Sequence, residues 1–171
     1  QQYITVSNTL PYSFLYYAEE KNMFEESWQM IASFSKEFKF LSNFAPSVLW
    51  VNGLVFPTLE HAYQVYRATN SQDREKIRTA INPGRAKRIA HSVKQSPTFH
   101  SRKVDIMLNL LEKKFKDSTL RARLEATGTQ ELVEGNYWHD NFWGNRTCPD
   151  CEDITGENML GKLLMQVRGE P

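Results

Sequence analysis

Cysteine is almost absent from this chain of 171 residues: two occur, as Cys148-Pro-Asp-Cys151. Two thiols do not make a structural zinc site, which takes four ligands, and His139 upstream supplies at most a third. The pair reads as a disulfide across a CxxC loop or as two thiols in a tight turn, and no metal is expected. Long apolar runs are also missing. None approaches the roughly 20 residues that span a bilayer, and residues 1–20 lack the basic start and unbroken apolar core of a signal peptide. The expected location is therefore intracellular, in the cytoplasm or, in a eukaryote, the nucleus, with no membrane partner. Charge of one sign is missing too: 21 Lys and Arg against 20 Asp and Glu leave +1. No global field would hold the protein on nucleic acid, so any such contact must be local. Neither GxGxxG, a Walker loop, HExxH nor GxSxG occurs, which argues against a Rossmann dehydrogenase, an NTPase, a zincin and an esterase. There is no internal repeat and no low-complexity linker.

What is present is aromatic: 10 Phe, 7 Tyr and 4 Trp, with 40% hydrophobic and 24% charged residues. That supports one domain with a real core, and it suits either a stacking pocket or simply a large core. Residues 1–30 read as an extension packed on a main domain over 31–171. In "EFKFLSNFAPSVLWVNGLVFPT", Phe38, Phe40, Val48, Trp50 and Val51 are strand-like, and Asn52-Gly53 predicts a hairpin turn. Helices dominate afterwards. "LEHAYQVYRAT" starts near Leu59 with Thr58 as its N-cap. "SQDREKIRTAI" is capped near Ser71 or Asp73 and stopped by Asn82-Pro83-Gly84. "GRAKRIAHSVKQ" is a basic helix. "SRKVDIMLNLLEKKFKDS" carries Val104, Met107, Leu108, Leu111 and Phe115 on one stripe. "TLRARLEAT" stops at Gly128, "TQELVEGN" is a short strand or turn, and "NMLGKLLMQVR" closes the domain. The expected fold class is α+β, mostly helical, with a short β-hairpin region.

Carboxylates in apolar or aromatic surroundings are the informative ones, because such settings shift pKa values and recur in active sites. Glu60 lies in the first turn after Pro57 and shares a helix face with Gln64 and Arg67. Glu134 sits in "LVEGN", and Asp140 lies between Trp138 and Trp143. Each has a plainer reading as a cap or local ion pair, since a carboxylate near a helix start is mildly stabilising. "GNYWHDNFWGN" is a loop that either clamps a planar ring or plugs the core. "NPGRAKRIAH" offers Arg85, Lys87, Arg88 and His91 at a helix start, which is a phosphate site or a solvated basic face. "TGENMLGKLL" is a second helix entry that can present amides to a ligand.

In order and spacing, "FLSNF", "FPTLEHAYQ", "NPGRAKR", "LLEKKF", "LVEGN", "DNFWG" and "GENMLGKLLMQVR" resemble the YbiA/NADAR family, from about Ile31 to Arg168. The resemblance implies a single helix-rich α+β domain and hydrolysis of N-glycosidic bonds to a ribose phosphate or ADP-ribose. The implied substrates are ribosylamino-pyrimidine intermediates of riboflavin synthesis or ADP-ribose on guanine in DNA or RNA; the second is the expectation taken forward. It also implies Glu60, Asp140, Glu134, Asn43 and Trp143 as functional positions. Glu60, Asp140 and Glu134 are taken as catalytic, with Asn43, Phe44, His61, Gln64, Trp143, Gly144 and Asn158 around the substrate. This chain departs from the pattern with Arg67 where many members have Lys and with Phe99 where many have Trp. The CPDC insert occurs in only some members, and the first thirty residues have no counterpart.

Cleaving an N-glycosidic bond needs a carboxylate for oxocarbenium-like charge or water, a group that holds the leaving base, and a grip on ring and phosphate. Glu60 is expected beside the anomeric carbon and Asp140 on ribose hydroxyls or water. Trp143 and Phe44 would stack, and Arg85, Lys87, Arg88 and Lys162 would meet phosphate. A Schiff base on the opened sugar, from Lys39 or Lys87, is a second route. No metal or organic cofactor is required. A module that binds ADP-ribose or NAD without cleaving it would use the same pocket.

Overall fold

A computed structural model describes residues 30–146 and 155–169. Residues 1–29 of the expected extension and the Cys148/Cys151 pair lie outside them. The elements run β1 (Met30–Ile31), a 3-10 turn (Lys36–Leu41), β2 (Pro46–Val51), β3 (Leu54–Thr58), α1 (Leu59–Gln64) and a 3-10 continuation (Val65–Arg67). Then come α2 (Ser71–Arg78), α3 (Pro83–Ser92), α4 (Phe99–Lys114), α5 (Ser118–Glu125), β4 (Glu131–Leu132), β5 (Gly135–Asn136), β6 (Asn145–Arg146) and α6 (Met159–Arg168). Strands pair in twos: β1 with β4 in parallel, β2 with β3 antiparallel, and β5 with β6 in parallel. This is the helix-rich α+β class that the patterning implied. Among the described residues no helix is long and apolar enough to cross a membrane.

The hairpin follows from its turn. Asn52 and Gly53 both take positive φ, 51° and 78°, as a two-residue turn that matches strand twist requires. It turns Leu49, Val51 and Phe56 into the core and leaves Val48 and Trp50 outside. The strand expected over Phe38 and Phe40 does not form. Lys36–Leu41 winds instead, closed by Phe38 N–H to Ser35 O (2.9 Å) and Ser42 N–H to Lys39 O (3.0 Å). A strand would put Phe40 and Leu41 on opposite faces, whereas in a 3-10 turn residues three apart eclipse. Phe38 then follows Leu41 onto the core while Phe40 is buried beside it.

Two helix boundaries also shift. Asn70, not Ser71 or Asp73, caps α2, its Oδ1 accepting the Asp73 amide at 2.8 Å. Asn82 does not stop α2, which ends at Arg78. It starts α3, accepting the Arg85 amide at 2.8 Å with Pro83 in the first turn. Pro fits there because its missing N–H is one that no helix turn would use.

The 16-residue α4 is the central pillar, packed against α1, β2 and α6. Its buried face carries Ile106, Met107, Leu110 and Leu111. α6 lays Leu160, Leu163 and Leu164 on the same core. It also comes so close to β4 that a Cβ on Gly161 would run into the Leu132 carbonyl and lie 2.6 Å from both side-chain polar atoms of Asn158. Helix propensity alone favours Gly161→Ala by about 1 kcal/mol. The backbone contact reverses the sign, and the variant is expected to lose about 1–3 kcal/mol, read as a lower urea midpoint at unchanged m-value.

Candidate active site

A cavity of about 910 Å³ opens between α1, α3 and the loop that follows β5. Its walls are built by local rules. Thr58 caps α1, accepting the His61 amide at 3.3 Å, so the first turn is fixed without using a carboxylate. The Glu60 amide goes to the Asn43 carbonyl (3.0 Å), which ties α1 to the turn carrying Ser42, Asn43 and Phe44. Glu60 itself is 5% exposed, and its Oε1 accepts from Gln64 Nε2 at 2.7 Å, one turn on. Burial raises its pKa, while Gln64, Lys87 and Arg67 favour the anion.

Glu134 lines the same cavity with less such help, from Lys87 alone. Burial, then the charges of Asp140 and Glu60, push its pKa up to about 8, so near neutrality this group holds a proton. Asn158 sets its backbone: Oδ1 accepts the Glu134 amide at 3.1 Å and Nδ2 donates to the Leu132 carbonyl at 2.8 Å. Asp140 arrives on a loop pinned by the fully buried Asn136, whose Oδ1 accepts the Asp140 amide and whose Nδ2 donates to its carbonyl. Asp140 Oδ1 in turn accepts the amides of Phe142 and Trp143, at 3.2 and 2.9 Å. That bond aims Trp143 at the cavity, edge-on to Tyr63 at 5.7 Å. The core-plugging reading of the aromatic loop holds at Trp143. Trp143 packs on the core, while Trp138, 63% exposed, stands at the cavity rim.

Lys87, Arg88 and His91 enter from α3, and Arg67 from the 3-10 continuation after α1. The His91 pKa is lowered by burial and then by the Arg67 and Lys87 charges, a sign of a locally cationic stretch. Asn43 Oδ1, Gln64 Oε1 and Arg67 Nε are buried without a protein partner, all on residues that line the cavity. Buried polar atoms are normally satisfied, and unsatisfied ones gathered on one cavity wall mark it as a candidate functional surface.

The sequence model of the NADAR domain matches residues 16–170. The chain belongs to the NADAR family. N-glycosidase YbiA of Escherichia coli is 34% identical over 139 residues, covering 80% of this chain and 83% of that protein. The NMR structure of E. coli YbiA superposes with a TM-score of 0.68 at 31% identity, over 82% of this chain and 86% of that one. A riboflavin biosynthesis protein of Vibrio vulnificus is 34% identical over 134 residues, 77% of this chain, and this chain spans about a third of its length (35%). A chloroplastic riboflavin biosynthesis protein of Zea mays is 32% identical over 165 residues, matched over 24% of its length.

Within this NADAR domain, Glu60, Glu134, Asp140, Asn43, Phe44, Gln64, Lys87, Arg88 and Trp143 come together on the cavity lining. The other candidates stand elsewhere. His61 is buried off the cavity, its ring between Thr58 Oγ1 (2.8 Å) and the Ala80 carbonyl (3.0 Å). It ties α1 to the end of α2. Gly144 and Asn158 support the site from behind: a Cβ at Gly144 would strike the Glu134 carbonyl, and Asn158 holds the Glu134 amide. Arg85, Lys39 and Lys162 are exposed and away from the lining. The helix entry at "TGENML" gives its amides to the protein, since Glu157, Asn158, Met159 and Leu160 donate to the carbonyls of Asn141, Gly144, Phe142 and Trp143. Arg67, Met107, Ser42 and Trp138 are lining residues absent from the expected binding set; the i+7 spacing from Glu60 was the one signal for Arg67.

Glu134 makes stability depend on pH. Its folded pKa, about 8, lies above the ordinary 4.5, so the stability it contributes is full below pH 4.5 and is lost as pH rises through 8. Glu134→Gln removes that loss. Its melting temperature is expected to gain on the parent between pH 4.5 and 8 and to hold a constant lead above that range.

Proposed function

We propose that this chain is an N-glycosidase that hydrolyses the bond between C1′ of a phosphate-bearing ribose and a base nitrogen, and that its substrate is ADP-ribose attached to guanine in nucleic acid. The observation that carries the reading is one cavity holding three carboxylates in different electrostatic settings beside cations from α3. Carboxylates that differ in their hydrogen-bond donors and neighbouring charges let one site provide both proton donor and anion. In this reading Glu134 is the proton holder. The C1′–N bond breaks, its electron pair stays on the base, and Glu134 protonates that nitrogen. Glu60, whose pKa is raised by burial against the opposing pull of Gln64, Lys87 and Arg67, acts in its ionised form, stabilising the positive charge developing at C1′. Water adds to C1′ and its proton passes to Glu60. Asp140 holds Trp143 in place and turns its carboxylate toward ribose hydroxyls, while Lys87 and Arg88 take phosphate. Phe44 and Trp138, exposed at the mouth, are stacking platforms for a base.

A second reading, cleavage of a ribosylamino-pyrimidine phosphate of riboflavin synthesis, is favoured by the names of the Vibrio and maize relatives. Product analysis separates the two. Guanine-ADP-ribosylated single-stranded DNA and the pyrimidine phosphate are each incubated with the protein and with Glu60→Gln. ADP-ribose released from the DNA alone supports the first reading, and cleavage of the pyrimidine alone the second. ADP-ribose binding without turnover of either substrate leaves a binding module. Glu60→Gln is expected to lose about 10²–10⁴-fold in kcat while melting like the parent; a variant that unfolds but keeps its activity per folded molecule would give Glu60 a purely structural role. The rate of the parent should decline above about pH 8 as Glu134 loses its proton, and Glu134→Gln should lack that limb.

A further inference from the structure

Arg67 is the cavity's best-fixed cation, and the phosphate grip proposed above does not use it. Its backbone carbonyl accepts the Ser96 amide (2.6 Å), and the next residue, Ala68, bridges Gln95. Its guanidinium lies over the Phe99 ring, 4.2 Å from the centroid, with Nη1 donating to Gln95 Oε1 at 3.4 Å. Gln95 is itself locked, donating to the carbonyls of Ala90 and Val93 at 2.7 and 2.8 Å. The ring beneath Arg67 is held as well: Phe99 packs edge-on to Tyr63, and Tyr63 edge-on to Trp143. The side chain is half-buried and faces no carboxylate within ion-pair distance among the described residues. The residue lines the cavity.

We propose that Arg67 is a specificity-determining residue: its clamped guanidinium meets the phosphate of the sugar moiety and makes the site select phosphorylated ribose over ribose. The proposal rests on the ribose-conjugate reading above and deepens it. The physics lies in pre-organisation. A planar guanidinium offers paired N–H donors that match two phosphate oxygens, whereas an ammonium offers a point charge on a mobile stem. Stacking on Phe99 and the Gln95 bond orient the plane before the ligand arrives, so little rotamer entropy is lost on binding. Arg88, by contrast, is exposed on α3. It adds charge and steering but no fixed geometry.

The shared chemistry is a phosphate on the ribose side, whether the monoester of a ribosylamine or the diphosphate of ADP-ribose. Thermal shift and calorimetry with ribose 5-phosphate, ADP-ribose and unphosphorylated ribose test it directly, without turnover. The parent should bind both phosphorylated probes and give no shift with ribose. Arg67→Met should weaken the phosphorylated probes by about 30- to 1,000-fold, and Arg67→Lys, which keeps charge but loses the fork, by about tenfold. The melting temperature of each variant without ligand reports whether the Phe99 clamp also carries stability. Loss for ribose 5-phosphate but not ADP-ribose places the contact on a monoester, and the reverse places it on the diphosphate. Equal affinity of parent and Arg67→Met for both phosphorylated probes overturns the proposal and leaves phosphate to Lys87 and Arg88. Absence of turnover on both glycosidic substrates, with Arg67-dependent phosphate binding retained, overturns the glycosidase reading alone.

Discussion

The site depends on one close approach, that of the start of α6 to the strand segment Leu132–Glu134. Asn158 stands at the junction in a left-handed conformation, φ 49° and ψ 42°. Asparagine tolerates this better than most side chains. Its side chain joins the Leu132 carbonyl to the Glu134 amide, and its own amide reaches the Gly144 carbonyl. Three stretches far apart in sequence are thereby held at hydrogen-bond distance, and the glycines on either side are there because nothing larger fits. Gly144 and Gly161 face the carbonyls of Glu134 and Leu132. The amides that begin α6 are satisfied by the aromatic loop's carbonyls, so the loop bearing Asp140 and Trp143 is fastened along its length. Glu134 and Asp140 reach the same cavity because this junction leaves them no other place.

From that junction the electrostatics follow. Carboxylates drawn out of water resist ionisation unless cations or donors compensate. Burial raises both pKa values; Glu60 receives Gln64 and the nearby charges of Lys87 and Arg67 against Asp140, whereas Glu134 receives Lys87 alone against Asp140 and Glu60. The contrast is set by scaffold position. Glu60 is on a helix, where the residue one turn on can donate to it. Glu134 lies between short strands, where its neighbours' polar groups are spent on backbone pairing. Holding acids in such company costs folding stability, a cost typical of sites whose chemistry needs perturbed groups.

Much of this was legible in the sequence wherever a local rule decides the outcome. Asn52-Gly53 dictates a hairpin turn, Thr58 a helix start, and the apolar stripe of residues 104–115 a helix face, and each appears as patterning implies. The Glu60–Gln64 pair follows from i,i+4 spacing alone. Misreadings arose where a residue type serves two opposite roles. Asn82-Pro83-Gly84 reads equally as a stop or as a cap, and Asn at a cap position with Pro behind it won. Phe38 and Phe40 alternate like a strand, but the run closes on Leu41, which a winding turn buries better. The reach of charged side chains was the least legible feature. Arg85, Lys87 and Arg88 are near-neighbours in sequence, yet the helix turns Lys87 and Arg88 to the cavity and Arg85 away. Periodicity gives relative faces; which face meets the ligand waits on tertiary packing.

The buried carboxylate just after Pro57 can now be understood against its plainer alternative. If Glu60 were present to cap α1 or to answer its dipole, its side chain would reach the free amides of the first turn. Those amides are otherwise engaged: Thr58 takes that of His61, and the Asn43 carbonyl takes that of Glu60 itself. A carboxylate not needed for its own helix, buried at a desolvation cost, bonded to a glutamine one turn on and facing a cavity with cations, has no structural task there that an apolar side chain would not perform better. The helix start contributes position. It sets Glu60 at the cavity wall with its backbone tied on one side to the Asn43 turn and, through the paired His61 ring, on the other to the end of α2. The acid is thereby held still at the cavity wall, as the proposed hydrolysis requires of the group that meets water and developing positive charge.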